Sequence, residues 1–216
     1  MFIAGAFGEL LGNYFMRHLP LYLALILLFS TGLGFGAVAT QKLSPLQKED
    51  LANYIAGVYS SLGDDSEQVS PRGGVFYQSM MDNVVKTMGL VFLLGLTVIG
   101  APLILAIVFV RGFVLGFTVG FLLQETMVQG LFLSTTYILP HNLLIVPAIL
   151  IGAGGALSFS ATALKTLLGL TKEGIYAQFA STTFLALCSG ILFVLAALVE
   201  AYLTPILAHL GSGFLT

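Results

Sequence analysis

The 216-residue chain is 57% hydrophobic with a mean hydropathy of +1.00, and only 8% of its residues are charged, against about 25% in soluble domains. A net charge of −2 leaves no electrostatic footprint for nucleic acid, and the single cysteine, Cys188, excludes an internal disulfide and a cysteine-based metal cluster. The chain is expected to be an all-α, polytopic membrane bundle forming one domain over residues 1–216, with the lipid bilayer as its solvent.

A helix needs about 20 apolar residues to cross about 30 Å of hydrocarbon. Before the first such run, Phe2 to Phe15 reads as a short interfacial helix. Span one is expected over 20–40. It ends in Ala37-Val38-Ala39, which resembles a signal-peptidase site, but its apolar core is too long for a signal peptide and no cleavage is expected. An extracytoplasmic loop over 41–83 follows. Within it, Ser44-Pro45-Leu46-Gln47 reads as an N-cap, a proline at the first helical position and a capping-box glutamine. Leu51, Tyr54, Ile55, Val58 and Leu62 mark one apolar helical face. So short an amphipathic helix cannot bury that face alone. It must lie on the membrane, on the span ends or on a partner.

Span two is expected over 88–110, with Asp82 and Lys86 paired at i, i+4 where it begins. Arg111 then reads as a very short turn and an inner-face anchor, with a lipid-phosphate or partner contact as the alternative. Span three is expected over 112–133, within an apolar run to Leu139 interrupted by Gln124-Glu125-Thr126. That run can be one span, a broken helix or a re-entrant hairpin. Gly112, Gly116 and Gly120 fall at i, i+4 and i+8, a side-chain-free stripe that lets another backbone approach closely in lipid. It serves either internal packing or self-association, and a homodimer is a possible outcome. Span four is expected over 143–164, with Gly152-Ala153-Gly154-Gly155-Ala156 as a packing surface, and span five over 179–202.

Positive residues of short loops set orientation. Arg17 and His18, then Arg111, then Lys165 and Lys172 all fall on one side if there are five crossings with the N-terminus inside. Loop 41–83 then faces outward. So do four candidate polar or partner-facing membrane positions: Glu125, His141, Asn142 and Glu200. Ionisable groups at membrane depth are functional candidates by default. Glu125 is either a partner-binding or proton-handling carboxylate or a helix-end carboxylate reaching interfacial water. His141 and Asn142 follow Pro140 and serve either a site or helix initiation. Leu51 and Tyr54 are the candidate partner-facing residues of the loop. Motifs of zinc peptidases, nucleophile elbows and phosphate loops are absent from the sequence. No catalytic residue, metal or cofactor is expected.

Several segments resemble one family in order and spacing. They are Leu46-Gln47-Lys48-Glu49-Asp50-Leu51, Gly100-x-Pro102, Gly112 to Leu122, Leu139-Pro140-x-Asn142-Leu143-Leu144-Ile145 and Glu200-Ala201-Tyr202-Leu203-x-Pro205. The chain resembles the stage II sporulation protein M family of endospore-forming bacteria over nearly its whole length. A wider family carries Pro-His-Gly-x-x-Glu-x-Pro at the start of span four. Pro140, His141 and Pro147 match it here, whereas Asn142 replaces the glycine and Ile145 the glutamate. The resemblance implies an uncleaved, multi-pass protein of the mother-cell membrane at the sporulation septum. It would be a non-enzymatic scaffold of the engulfment machinery that anchors the peptidoglycan-degrading stage II sporulation proteins D and P. The alternative is a permease subunit of a transporter, with the Leu170 to Gln178 loop as its ATPase-coupling surface.

Overall fold

The computed structural model describes residues 16–53, 72–125, 139–170 and 175–203. Among these residues every regular element is helical. Helix α1 spans Leu19–Ala39 and closes with the 3₁₀ turn Thr40–Lys42. A short helix, α2, covers 45–53. Helix α3 runs continuously through Arg72–Met80, a π-helical stretch Met81–Met88, and Gly89–Gly95. Helix α4 spans Ala101–Glu125, α5 spans Leu139–Leu167, and α6 spans Ile175–Leu198, continuing as a π turn over Val199–Leu203.

Local chemistry explains these boundaries. Pro20, Pro102 and Pro140 each stand second in their helix, where a missing N–H costs nothing and the fixed φ favours the first turn. The expected capping box at α2 is present. The Ser44 N–H donates to Gln47 Oε1 at 3.0 Å, and the Gln47 N–H donates to Ser44 Oγ at 3.3 Å. Helix α5 ends in a Schellman turn: Leu170 N–H reaches Lys165 O at 2.8 Å and Gly169 N–H reaches Thr166 O at 3.0 Å. Gly169 takes φ +69°, a conformation that favours glycine.

Among the described residues four helical stretches are long and apolar enough to cross a membrane: Leu19–Lys42, Ala101–Gln124, Pro140–Leu167 and Ile175–Tyr202. The run 72–95 is similarly long, but its first two-thirds carry Arg72, Gln78, Asp82, Asn83 and Lys86. It packs beside the other four. Ser79 meets Glu200, Met88 meets Ser189, and Gly95 sits on Ala156. The long helices therefore alternate in direction along the chain. One end of the bundle holds Arg17, the 96–100 turn and Lys165. The other holds Thr40, Gln124, Pro140 and Glu200.

The boundaries of spans two and three differ from expectation. A single helix runs through Arg111, so no turn lies there and Arg111 is not an inner-face anchor. The turn falls at 96–100, in an apolar stretch that hydropathy cannot separate from its neighbours. The second long helix is 72–95 rather than 88–110, and the third is Ala101–Glu125 rather than 112–133. Residues 72–83, expected in the outer loop, belong to α3. Residues 126–138, the N-terminal segment before Met16, Tyr54 to Pro71, Lys172 and the C-terminus beyond Leu203 lie outside the described residues.

Helix α5 is the axle of the bundle. Its Ala148, Ile149, Ala153 and Ala156 are buried against Leu25 and Phe29 of α1, Met88 and Val91 of α3, Ile104 and Val108 of α4, and Phe193 and Ala196 of α6. The Gly152 to Ala156 stretch is a packing surface. A methyl group on Gly152 would meet Met88 and Ser189, one on Gly154 the ring of Tyr22, and one on Gly155 Leu185. Short hydroxyl bonds add to this packing, including Ser189 Oγ to Ala148 O at 2.6 Å and Thr182 Oγ1 to Gly155 O at 3.1 Å. Cys188 is free and half-buried on α6.

The glycine stripe of α4 faces α1 of the same chain, and the two helices run parallel. A Cβ on Gly112 would press on the carbonyl of Phe29, one on Gly116 on the carbonyl of Leu33, and one on Gly120 would lie 2.9 Å from Ala37 Cα. The seam is reciprocal: Gly32 and Gly36 of α1 sit on the carbonyls of Phe109 and Phe113. Internal packing thus occupies the stripe.

Candidate functional site: a polar cavity at membrane depth

Helix α4 presents a second face beside the glycine seam. Arg111, Val114, Leu115 and Thr118 follow i, i+3, i+4, i+7 spacing and line one cavity of about 500 Å³. Arg111 stands ten residues into α4, about 15 Å along it at 1.5 Å per residue, which is mid-depth in a bilayer. Its Nη2 donates to Asn83 Oδ1 at 3.0 Å and to Thr87 Oγ1 at 2.5 Å, both on the π-helical stretch of α3. Thr87 Oγ1 in turn donates to Asp82 O, five residues earlier, at 2.9 Å. The wider π turn provides this i−5 partner, and such insertions are frequent at functional sites.

The network continues across the bundle. Asn83 Nδ2 donates to Ser79 Oγ at 3.3 Å, and Ser79 Oγ donates to Glu200 Oε2 at 2.6 Å. Glu200 lies on the second π segment, at the end of α6. A guanidinium and a carboxylate from different helices are therefore joined through two buried neutral side chains, Asn83 and Ser79. Asp82 also lines the cavity and pairs with Lys86 at 2.5 Å, as expected from their spacing. That pair is largely solvent- or lipid-facing, with Lys86 71% exposed, and it contributes little by itself.

His141 and Asn142, at the start of α5, line the same cavity. Asn142 Nδ2 lies 3.0 Å from His141 Nε2. The other ring nitrogen, Nδ1, is buried without a hydrogen-bond partner among the described residues. A buried, unsatisfied polar atom costs about 1–3 kcal/mol, so this atom marks a place where a polar group of a ligand or a water fits. Among the described residues no group of three or more histidine, cysteine or acidic side chains is placed to hold a metal ion.

The structure thus gathers four residues singled out separately in the sequence: Arg111, His141, Asn142 and Glu200. Arg111 arrives in a role opposite to the expected one, inside the bundle rather than at its surface. Leu51 is half-buried on α2 and stands apart from the cavity. Tyr54 and the side chain of Glu125 lie outside the described residues. Gln124, beside Glu125, donates to Thr40 Oγ1 at 2.5 Å and accepts from Lys48 Nζ at 3.4 Å, fastening α4 to the end of α1 and to α2. Sequence reasoning missed Ser79, Asn83 and Thr87. The available signal was three hydrogen-bonding residues at i, i+4 and i+8 in a segment treated as a loop and its margin.

The model of the family described as stage II sporulation protein M matches residues 25–205. An uncharacterized protein of Methanocaldococcus jannaschii is 30% identical over 195 residues, covering 88% of this chain and 96% of that protein. No solved structure matches. The matched region includes most of α1, all of α3 to α6 and all the cavity residues named above, and the chain belongs to the stage II sporulation protein M family.

Proposed function

We propose that this protein is a membrane scaffold of the sporulation engulfment complex, holding the peptidoglycan-degrading stage II sporulation proteins D and P at the septum. The observation that carries this reading is the family match across residues 25–205; the uncharacterized relative adds no role of its own. The shape of the molecule supports it. The capped helix α2, the contacts of Gln124 with Thr40 and Lys48, and the mouth of the cavity lie together at one end of the bundle. With Arg17, His18 and Lys165 inside, that end faces outward, toward the wall. Leu46 of α2 is 69% exposed and offers an apolar contact there.

The test is recovery of both hydrolases with the full-length protein and their position in sporulating cells. Leu51→Asp with Tyr54→Asp should weaken co-purification and disperse the hydrolases from the septum. Undisturbed septal placement of both would overturn the scaffold reading. A second reading, a permease subunit, is favoured by one observation, the polar cavity at membrane depth. Co-purification with a cytoplasmic ATPase that depends on residues 170–178 would support it over the first.

A further inference from the structure

The cavity has an unusual electrostatic balance. A guanidinium offers five N–H donors, yet Arg111 uses only Nη2 toward protein acceptors among the described residues, and both acceptors are neutral. The Nε and Nη1 donors are left for something that enters the cavity. A cation held this way at membrane depth favours an anion with paired oxygens, which the planar fork of arginine binds in bidentate fashion. The cavity wall also carries the carboxylate of Asp82, neutralised by its pair with Lys86, the carboxylate of Glu200, one of whose oxygens is engaged by Ser79, and the unsatisfied His141 Nδ1. Anion-binding and cation-binding groups therefore face one space.

The adjoining surface supplies the other half of the argument. A groove of about 480 Å³ lies between α1, α4 and α5, walled by Leu33, Val119, Leu123, Leu143 and Pro147. It shares Phe29, Leu115, Asn142 and Val146 with the polar cavity, so the two spaces adjoin. Each volume falls within the roughly 300–1,000 Å³ of ligand pockets. Leu143 at 71% exposed and Leu123 at 40% place the rim of the groove on the lipid-facing surface. A polar chamber that continues into an apolar groove open to the bilayer has the form of a site for an amphiphile.

We infer that this site binds a phospholipid with a zwitterionic, phosphoethanolamine-type head, its phosphate on Arg111, its ammonium toward Glu200, and an acyl chain along the Leu115–Val119 groove. The inference goes beyond the scaffold role and does not depend on it. Native mass spectrometry of the purified full-length protein tests it, with phosphatidylethanolamine, phosphatidylglycerol and free glycerophosphoethanolamine as probes. Retention of phosphatidylethanolamine over phosphatidylglycerol is expected, with the free headgroup held at least tenfold more weakly. Arg111→Gln should lower lipid retention about tenfold, and Glu200→Gln should erase the preference between the two lipids while leaving phosphatidylglycerol bound. Val119→Trp, on the groove and outside the polar network, should weaken both lipids. Should Arg111→Gln fail to fold by thermal unfolding, Arg111→Lys and Val119→Trp decide the matter in its place. Equal retention of both lipids by the wild type, undiminished binding in Arg111→Gln or in its substitute pair, or a free headgroup as tight as the lipid would each overturn the proposal.

Discussion

Replacing Gly116 with alanine adds one methyl group at the point where α4 and α1 lie closest. The new Cβ would overlap the carbonyl oxygen of Leu33 and stand 2.7 Å from its carbonyl carbon and 2.8 Å from its Cα, where ordinary contact begins at 3.4 Å. All three obstacles are backbone, so no rotamer can clear them, and the helices must part by about an ångström or more at that level. Overpacking of this kind costs typically about 1–3 kcal/mol. Parting the helices also strains the neighbouring contacts of Gly112 on Phe29 and Gly36 on Phe113. Four glycines of this seam, Gly32, Gly36, Gly112 and Gly116, aim a Cα hydrogen at a carbonyl oxygen of the opposite helix. Such weak bonds contribute about 0.5–1 kcal/mol each. Against this stands the intrinsic gain of alanine over glycine in a helix, up to about 1 kcal/mol. The expected net loss is about 1–3 kcal/mol, and Gly116→Leu should prevent accumulation of the protein. Gly34 provides the control, because it lies on α1 beside the seam and an added methyl there would meet nothing within 4 Å. Gly34→Ala should be neutral or stabilising. Thermal unfolding of the purified variants in detergent reads both. A Gly116→Ala protein as stable as wild type, or a Gly34→Ala protein equally damaged, would refute the reasoning.

Further expectations concern the polar groups. Asn83→Leu removes an acceptor from a half-buried guanidinium and should cost about 2 kcal/mol, since hydrogen bonds to charged groups contribute about 1.5–3 kcal/mol; unfolding in detergent measures it, and no loss would mean that another acceptor replaces Asn83. Ser189→Ala deletes a fully buried hydroxyl bonded to Ala148 O and should cost only about 0.6 kcal/mol, the average for such bonds between membrane helices. Ser44→Ala should cost about 1 kcal/mol in local stability at α2, seen as faster amide hydrogen exchange over 45–53 with the long helices unchanged.

Patterns that depend on a few neighbouring residues were legible from the sequence. The capping box at Ser44 and Gln47, the Asp82–Lys86 pair and helix initiation at Pro140 all express chemistry within one turn of helix. The stripe of α4 was readable as a packing surface, but its partner was not, because Gly32 and Gly36 find Phe109 and Phe113 only when α1 and α4 are side by side. The boundary at Arg111 failed for a related reason. Hydropathy treats a charged residue between apolar runs as a loop, since an unpaired guanidinium in lipid is expensive. Asn83 and Thr87 remove that objection, and they come from a helix whose own polarity had disguised it as a loop. The two errors are one: α3 was too polar to be seen as a long helix without Arg111, and Arg111 too charged to be placed inside without α3.

The two faces of α4 make the seam and the cavity mechanically dependent. Gly112 directly follows Arg111, and Gly116 directly follows Leu115, so each glycine lies about 100° around the helix from a cavity residue. Contact of Gly112, Gly116 and Gly120 with the backbone of α1 leaves α4 almost no freedom to rotate. That restriction aims Arg111 at Asn83 and Thr87 and holds Leu115 at the junction between cavity and groove. A helix seated on large side chains could turn by repacking them, whereas one seated on backbone cannot. Phe29 joins the two features from the other side, because its carbonyl receives Gly112 while its side chain lines both spaces. Damage at Gly116 should therefore reach the Arg111 network through rotation of α4, whereas damage at Asn83 should leave the α1–α4 seam intact. Cross-linking of Phe35→Cys on α1 with Phe109→Cys on α4, positions whose native ring centroids lie 6.3 Å apart, compared in Gly116→Ala and Asn83→Leu, separates these outcomes. Loss of the cross-link in Asn83→Leu alone would mean that the polar network, and not the glycine seam, sets the orientation of α4.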